Sequence, residues 1–401
     1  MMASFISLFS GAGGLDLGLE RAGWDCLFAT DFDPVAIRTL EANRGAKVGG
    51  GRRALTDTII READVRRLKG AAILSDLGAA RGSIPLLAGG PPCQSWSSAG
   101  SQQGFDDPRG RLVGEYLRIA SELETRWLVF ENVRGLLTAR GPDGVPGSAL
   151  AEVRRSLLKR GWQTRVELLN AADYGVPQRR VRLILIGYRS GDEPAIPKPT
   201  HGCAPGAPEW VSLGECLKKI SPVSDEEIIR ATGKMALDLE HLPPGTGAKS
   251  PGKRESTRPG GHWGYKQGAF IADLRLSART VTANPQQDWI RDPKLGLRRL
   301  SPRECAAVQT FPETWKFEGK RADQYRLIGN AVPPMLAMQI GAALRSHADQ
   351  SGDVGQAGWG QLQPLPDRLQ LAIHYTKSEE RRNGASRREA TERAVGGRMR
   401  A

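Results

Sequence analysis

The stretch Ala3–Gly23 restricts the possible folds more than any other. A short run, SFISLF, is followed at once by SGAGGLDLGLERAG, where Leu15, Leu17, Leu19 and Ala22 form an apolar stripe compatible with a helix. Glycines between a strand and a helix mark the turn at which an α/β sheet takes a nucleotide-like ligand, since they allow close approach and the helix amides face the ligand. The spacing is not a strict GxGxxG, so a plain tight turn explains it equally well on its own. A second strand follows over Cys26–Thr30 and ends at Asp31, 20 positions after Gly11. That is where such folds hold ribose hydroxyls, and the two features together favour a ligand over a bare turn. Asp33-Pro34 then reads as a helix start.

A further apolar run, Ile84–Ala88, leads into Gly89, Gly90, Pro91, Pro92 and Cys93. The prolines stiffen the loop, so it presents the thiol rather than burying it. A core cysteine is the plainer reading of a lone Cys. Here Gln94, Ser95, Ser97 and Ser98 surround the thiol with polar groups that an apolar core would leave unpaired, which favours reactivity. Trp127–Phe130 forms another strand, with Glu131-Asn132-Val133 at its end. A carboxylate there suits catalysis, though a helix cap would also use one. Later strands are expected at Val166–Leu169 and Val181–Ile186. Between them, Gln178, Arg180 and Arg182 alternate and so share one face of an extended segment. For Arg179, Arg180 and Arg182 the plainer reading is a solvated edge strand. Asp64 reads as a strand-end acid or a surface one.

The chain has 401 residues and a net charge of +13, which points to a polyanionic partner, with nucleic acid the leading candidate. Its five cysteines, at 26, 93, 203, 216 and 305, show neither CxxC pairs nor metal-ligand spacing. No disulfide framework and no metal are therefore expected, and a reducing cytosol fits. No apolar run approaches the roughly 20 residues that span a bilayer, so no membrane role is expected. From Gly191 to about Arg298 the texture breaks into Pro, Gly and short apolar runs, the pattern of a separate smaller domain. Within it, residues 245–268 carry five Lys/Arg against one Glu, beside Trp263 and Tyr265, which suits a phosphate backbone but also a solvated loop. Ser301-Pro302-Arg303-Glu304 has the pattern of a capping box. After Ser346 the chain decays into a basic tail expected to be disordered or weakly helical.

Taken in order, FSGAGGLDLG, GGPPCQSWS, FENVRGLL, QRRVR, RRLSPRECAAVQTFP and YRLIGNAVPP resemble the motifs of the DNA cytosine C5 methyltransferases of bacterial restriction-modification type. One departure is GGPP in place of the commoner GFPP. The resemblance implies a Rossmann-like, S-adenosylmethionine-dependent fold, a doubly wound α/β sheet with an inserted target-recognition domain. It divides the chain into a catalytic part (1–188), the insert (189–297), a catalytic return (298–348) and a tail (349–401). By resemblance, Cys93 is the nucleophile, Glu131 contacts N3 and N4 of the target cytosine, Arg182 holds its O2 edge and Arg180 lies beside the loop and the target phosphate. S-adenosyl-L-methionine would lie along Phe9, Ser10, Gly11, Ala12, Gly13, Gly14 and Leu15. Asp31 and Phe32 would hold its ribose end, Asp64 and Val65 its adenine, and Pro91, Asn330 and Val332 would close the pocket. Gln94, Ser95, Gln178, Lys253, Arg254 and Arg258 would contact double-stranded DNA, whose target base must be flipped out. A monomer in the bacterial cytoplasm, with a cognate restriction endonuclease as possible partner, completes the expectation. The rivals are a tRNA-methylating branch sharing most of these motifs, a catalytically silent DNA-binding module and a nicotinamide-dependent oxidoreductase.

Overall fold

A computed structural model of the chain describes residues 3–49, 51–92, 111–189, 193–202, 206–249, 268–350 and 360–378. Cys93, Gln94, Ser95, Lys253, Arg254 and Arg258 lie outside the described residues. The chain opens with β1 (Ser4–Leu8), α1 (Gly14–Arg21), β2 (Asp25–Asp31) and α2 (Pro34–Ala42), then a small hairpin, β3 (Lys47–Gly49) and β4 (Arg52–Arg53), and β5 (Ile59–Glu62). It continues with α3 (Gly70–Leu77), β6 (Leu86–Gly89), α4 (Arg111–Leu123), β7 (Trp127–Val133), α5 (Ser148–Lys159), β8 (Gln163–Asn170) and β9 (Val181–Tyr188). Seven of these strands make one sheet in the order β5-β2-β1-β6-β7-β9-β8. All neighbours pair in parallel except β9, which is antiparallel to both β7 and β8.

The sheet is covered on both faces, so its strands read as near-continuous apolar runs. In β1, Phe5 joins a core cluster with α1, whereas Ile6 and Leu8 join the opposite cluster with α4 and α5. The strand order reverses between β1 and β6, and a doubly wound sheet opens its ligand crevice at the carboxyl ends of the strands at such a switch point. The glycine turn follows β1 and the Pro91-Pro92 segment follows β6, so this topology brings both to one crevice. The expected Asp33 start is present: the Asp33 side chain accepts from the Val35 amide and Pro34 occupies the first turn.

A second sheet follows β9 in the chain. After α6 (Leu213–Leu217) come β10 (Ile229–Arg230), α7 (Gly233–Glu240), β11 (Thr246–Gly247), β12 (Phe270–Ile271), β13 (Trp289–Asp292) and β14 (Gly296–Arg299), in the order β10-β14-β13-β12-β11. Its own buried cluster is Leu239, Leu242, Ile271 and Trp289. Leu213, Phe270, Val281 and Ile290 instead join the main core, so this lobe rests on the catalytic fold. Buried Arg298 on β14 bonds both Asp292 and Glu304.

The chain returns through α8 (Pro302–Val308), α9 (Arg321–Asn330) and α10 (Pro334–Gln350). Ser301 and Glu304 form the expected capping box. α10 lies against α1 at a point where only glycine fits: a Cβ on Gly18 would come 2.3 Å from Ala337 Cβ and 2.4 Å from the Pro334 carbonyl oxygen. The most apolar 18 residues within 321–348, which take in α9 and most of α10, are 67% buried within the protein.

β7 runs on past Phe130 to Val133, so Glu131, opposite Ile184, lies within the carboxyl end of the strand. Two expectations need correction. β9 is interior, between β7 and β8, so the arginines at its start are not on a solvated edge. The tail is not wholly unstructured: residues 367–378 are helical, and Leu369, 2% exposed, enters the core cluster of α5 and β8. The spacing Leu365, Leu369, Ala372, Ile373 is a helical stripe, and the net charge of the tail obscured it.

Candidate active site

The turn after β1 has a left-handed run: Phe9 at φ 59°, Gly11 at 54° and Gly13 at 76°. Phe9 is not glycine, so this conformation is strained and is held by its surroundings. Asp31 supplies much of the hold. Its Oδ2 accepts from the Gly11 amide at 2.9 Å, and its Oδ1 accepts from the Asp33 amide at 3.0 Å. Burial raises the Asp31 carboxyl above the usual range, opposed by these amide bonds.

Phe9, Ser10, Gly11, Gly14, Leu15, Asp31 and Phe32 line a cavity of about 2070 Å³ together with Asn330 and Val332 from the far end of the chain. The Cβ position of Gly11 has no atom within 4 Å, so the turn is open there. Phe32, 68% exposed, offers an uncovered ring beside Asp31. Gly14 is closed instead, because a Cβ there would lie 2.2 Å from the Val332 carbonyl oxygen. Ala12 and Gly13 turn inward: the Ala12 carbonyl accepts from Trp315 Nε1, and Gly13 packs on Leu40. Asp64 and Val65 are not among the cavity-lining residues. The Asp64 carboxylate pairs with Arg66 at 2.6 Å, and the Val65 side chain is buried in the core.

On the other side of the switch point, Pro91 and Pro92 reach the same cavity as Glu131. Asn132, buried, donates from Nδ2 to the Pro91 carbonyl at 3.2 Å and so ties the start of the cysteine loop to β7. This tie was not anticipated from the sequence, although Asn132 adjoins Glu131. Glu131 Oε1 pairs with Arg182 Nε at 3.0 Å. A Cβ on Gly90 would lie 3.0 Å from Glu131 Oε2, so glycine keeps that side of the carboxylate clear. Burial raises the Glu131 carboxyl above its usual range, while Arg182 and then Arg180 act to lower it. The pair therefore sets a carboxyl whose affinity for a proton is raised by burial beside a planar cation.

Gln178 and Arg180 do not behave as expected. Both precede β9 and are buried, at 0% and 1% exposure. Gln178 accepts from the Val281 amide and donates to Gln309 Oε1, so its side chain is engaged within the fold. Arg180 borders the cavity, but its guanidinium donates to the carbonyls of Val281 (2.9 Å), Gly329 (2.8 Å) and Ala331 (2.9 Å). It joins the inserted lobe to the returning helices and is not placed on a target phosphate. Among the described residues no cluster of His, Cys, Asp or Glu is arranged to hold a metal ion.

Comparison with known proteins agrees with this geometry. The profile of the C-5 cytosine-specific DNA methylases matches residues 3–346. The type II methyltransferase M.FnuDI of Fusobacterium nucleatum is 32% identical over 356 residues, 85% of this chain and 93% of that protein. M.NgoPII of Neisseria gonorrhoeae is 30% identical over 360 residues, 85% of this chain and 94% of that one. The crystal structure of the S. pombe Dnmt2 methyltransferase superposes with a TM-score of 0.59 at 16% identity, covering 86% of this chain and 99% of that chain, and so shares the fold. The chain therefore belongs to the C-5 cytosine-specific DNA methylases.

Proposed function

We propose that this chain is the modification enzyme of a restriction-modification system, acting as a monomer in the cytoplasm beside a cognate endonuclease. It would methylate C5 of a cytosine flipped out of a specific sequence in double-stranded DNA. The observation that carries this reading is the Glu131–Arg182 pair, 3.0 Å apart, in the same cavity as the Pro91-Pro92 segment that leads into Cys93.

Cytosine C5 is a weak nucleophile, so the ring must first be activated by addition at C6. The Cys93 thiolate forms the S–C6 bond, and the displaced ring electrons move toward N3 and O2. Glu131, whose burial favours its protonated form, donates a proton at N3. Arg182 holds the developing charge at O2, and Glu131 orients its guanidinium. The enamine so formed is nucleophilic at C5, the atom that would take the methyl group. Transfer of the C5 proton to a solvent base, return of the N3 proton to Glu131 and expulsion of the Cys93 thiolate restore the aromatic ring.

The residues present fit S-adenosylmethionine. Gly11 leaves space at the turn, the Phe32 ring is uncovered, and Asp31 retains lone pairs beyond its two amide bonds. When bound, the cofactor supplies an electrophilic methyl group on sulfur. Phe9 to Leu15, excepting the inward Ala12 and Gly13, would hold its length, with Asp31 on the ribose hydroxyls. Asn330 and Val332 would shut out water. Target choice is assigned to the 189–297 insert, where Lys253, Arg254 and Arg258 would neutralise phosphates while neighbouring side chains reach base edges.

The test uses a duplex carrying 5-fluorocytosine at the methylated position, which bisulfite sequencing of DNA from expressing cells identifies. The wild-type protein should form a denaturation-resistant adduct with it, because fluorine cannot leave as a proton does. Cys93→Ala should form none and transfer no methyl group while still binding the cofactor. Persistent methyl transfer by that variant would overturn the nucleophile assignment.

A further inference from the structure

Residues 361–378 lie beyond the stretch shared with the family, yet they are built into the catalytic fold. Gln163 Nε2 donates to the Gln361 carbonyl at 3.0 Å, and Arg154 Nη2 donates to the Gln363 carbonyl at 2.5 Å. Arg368 pairs with the otherwise buried Glu167 at 2.6 Å. Leu369 is inserted into the core, and Ile373 packs on Gly147. α5 and β8 thus hold the segment at several independent points.

The place of attachment sets its significance. β8 is the edge strand farthest from β5, five strand positions from the β2 that carries Asp31. At ~4.8 Å per strand this puts β8 about 24 Å from β2 across the sheet. Arg368, Leu369 and Ala372 nevertheless line the same cavity as Glu131 and Arg182. The helix therefore forms a wall of the crevice at the end away from the glycine turn.

The charge agrees with a polyanion. Arg368 keeps its side chain 65% exposed while it anchors Glu167, so further guanidinium N–H groups face outward. Beyond Ser378 the sequence continues with seven Arg against four Glu. Leu371 and Tyr375, one helical turn apart, are exposed at 52% and 61%.

Resting on the reading of duplex DNA as substrate, we propose that the 361–378 segment is an additional DNA-backbone contact, with Arg368 on a phosphate flanking the target site. It lengthens the footprint without reading sequence.

The experiment measures, for the full chain, the salt dependence of binding to a duplex that contains the methylated site and to one that does not. Each phosphate contact adds about 0.9 to the slope of log K against log salt. Arg368→Ala should lower the slope by about 0.9 on both duplexes, leaving the cofactor dissociation constant and the methylated site unchanged. Arg368→Lys should restore the slope. Glu167→Gln breaks the anchoring pair but keeps the cation, and should retain the full slope even where it lowers the urea midpoint. If Arg368→Ala and Glu167→Gln lower the midpoint alike and neither changes the slope, the segment is only a structural brace and the proposal fails. A wild-type protein that binds neither duplex would overturn the substrate reading, and this proposal with it.

Discussion

Replacing Arg180 by alanine tests whether this arginine is a clamp or a DNA contact. Its guanidinium donates to the carbonyls of Val281, Gly329 and Ala331, which lie 101, 149 and 151 residues away in sequence. Hydrogen bonds from a charged donor contribute about 1.5–3 kcal/mol each, so three set an upper bound of roughly 4.5–9 kcal/mol. Relief from burying the cation offsets part of this, and removing one partner from a buried charged network typically costs about 3–5 kcal/mol. That range is the expected loss, a large fraction of the roughly 5–15 kcal/mol that stabilises most domains. Urea unfolding, followed by a fluorescence signal from the nine tryptophans, reads it directly. Arg180→Lys should recover only part, because an ammonium cannot spread three bonds over a planar fork. Cofactor affinity should fall as well, since the Ala331 carbonyl adjoins Val332 in the cavity wall. A phosphate-binding Arg180 makes the opposite prediction: an unchanged urea midpoint and a shallower salt dependence of DNA binding. Observing that pair of results would refute the clamp.

Three other outcomes follow from the same physics. Burial pushes the Glu20 carboxyl up to about 8 from 4.5, so the folded state holds this proton more tightly than the unfolded chain. The favourable contribution is complete below pH 4.5 and is lost as pH rises toward 8, at about 1.4 kcal/mol per unit. Glu20→Gln should flatten the fall in urea midpoint between pH 6 and 8; an unchanged slope would exclude Glu20 as its source. Gly18→Ala forces a Cβ to within 2.4 Å of the Pro334 carbonyl oxygen, so it should destabilise by about 1–3 kcal/mol through separation of α1 from α10, again by urea unfolding. Asp31→Ala removes the acceptor of the Gly11 amide and should weaken S-adenosylmethionine binding by roughly 1.5–3 kcal/mol in calorimetry; equal affinity would mean that another group holds the ribose.

Features written in local chemistry were legible in the chain alone. The β1 strand, its glycine turn and α1, the acid at Asp31, the Asp33-Pro34 helix start and the Ser301 capping box each depend on residues within a few positions of one another or on a recurrent spacing. The ordered motifs likewise led to the family, because the chemistry at cytosine requires particular side chains at particular strand ends. Alternation alone could not decide where Gln178, Arg180 and Arg182 face. A period of two shows that they share a side, but whether that side meets water, DNA or another part of the chain depends on contacts over a hundred residues away. In the folded protein Val281 and Ala331 close over Arg180, whereas Arg182 is left beside Glu131. The end of the chain shows the same division: charge favours solvation, while four apolar residues at helical spacing find a complementary surface on α5 and β8. That surface exists only once the sheet is assembled, so only the tertiary structure could decide that residues 361–378 are part of the crevice.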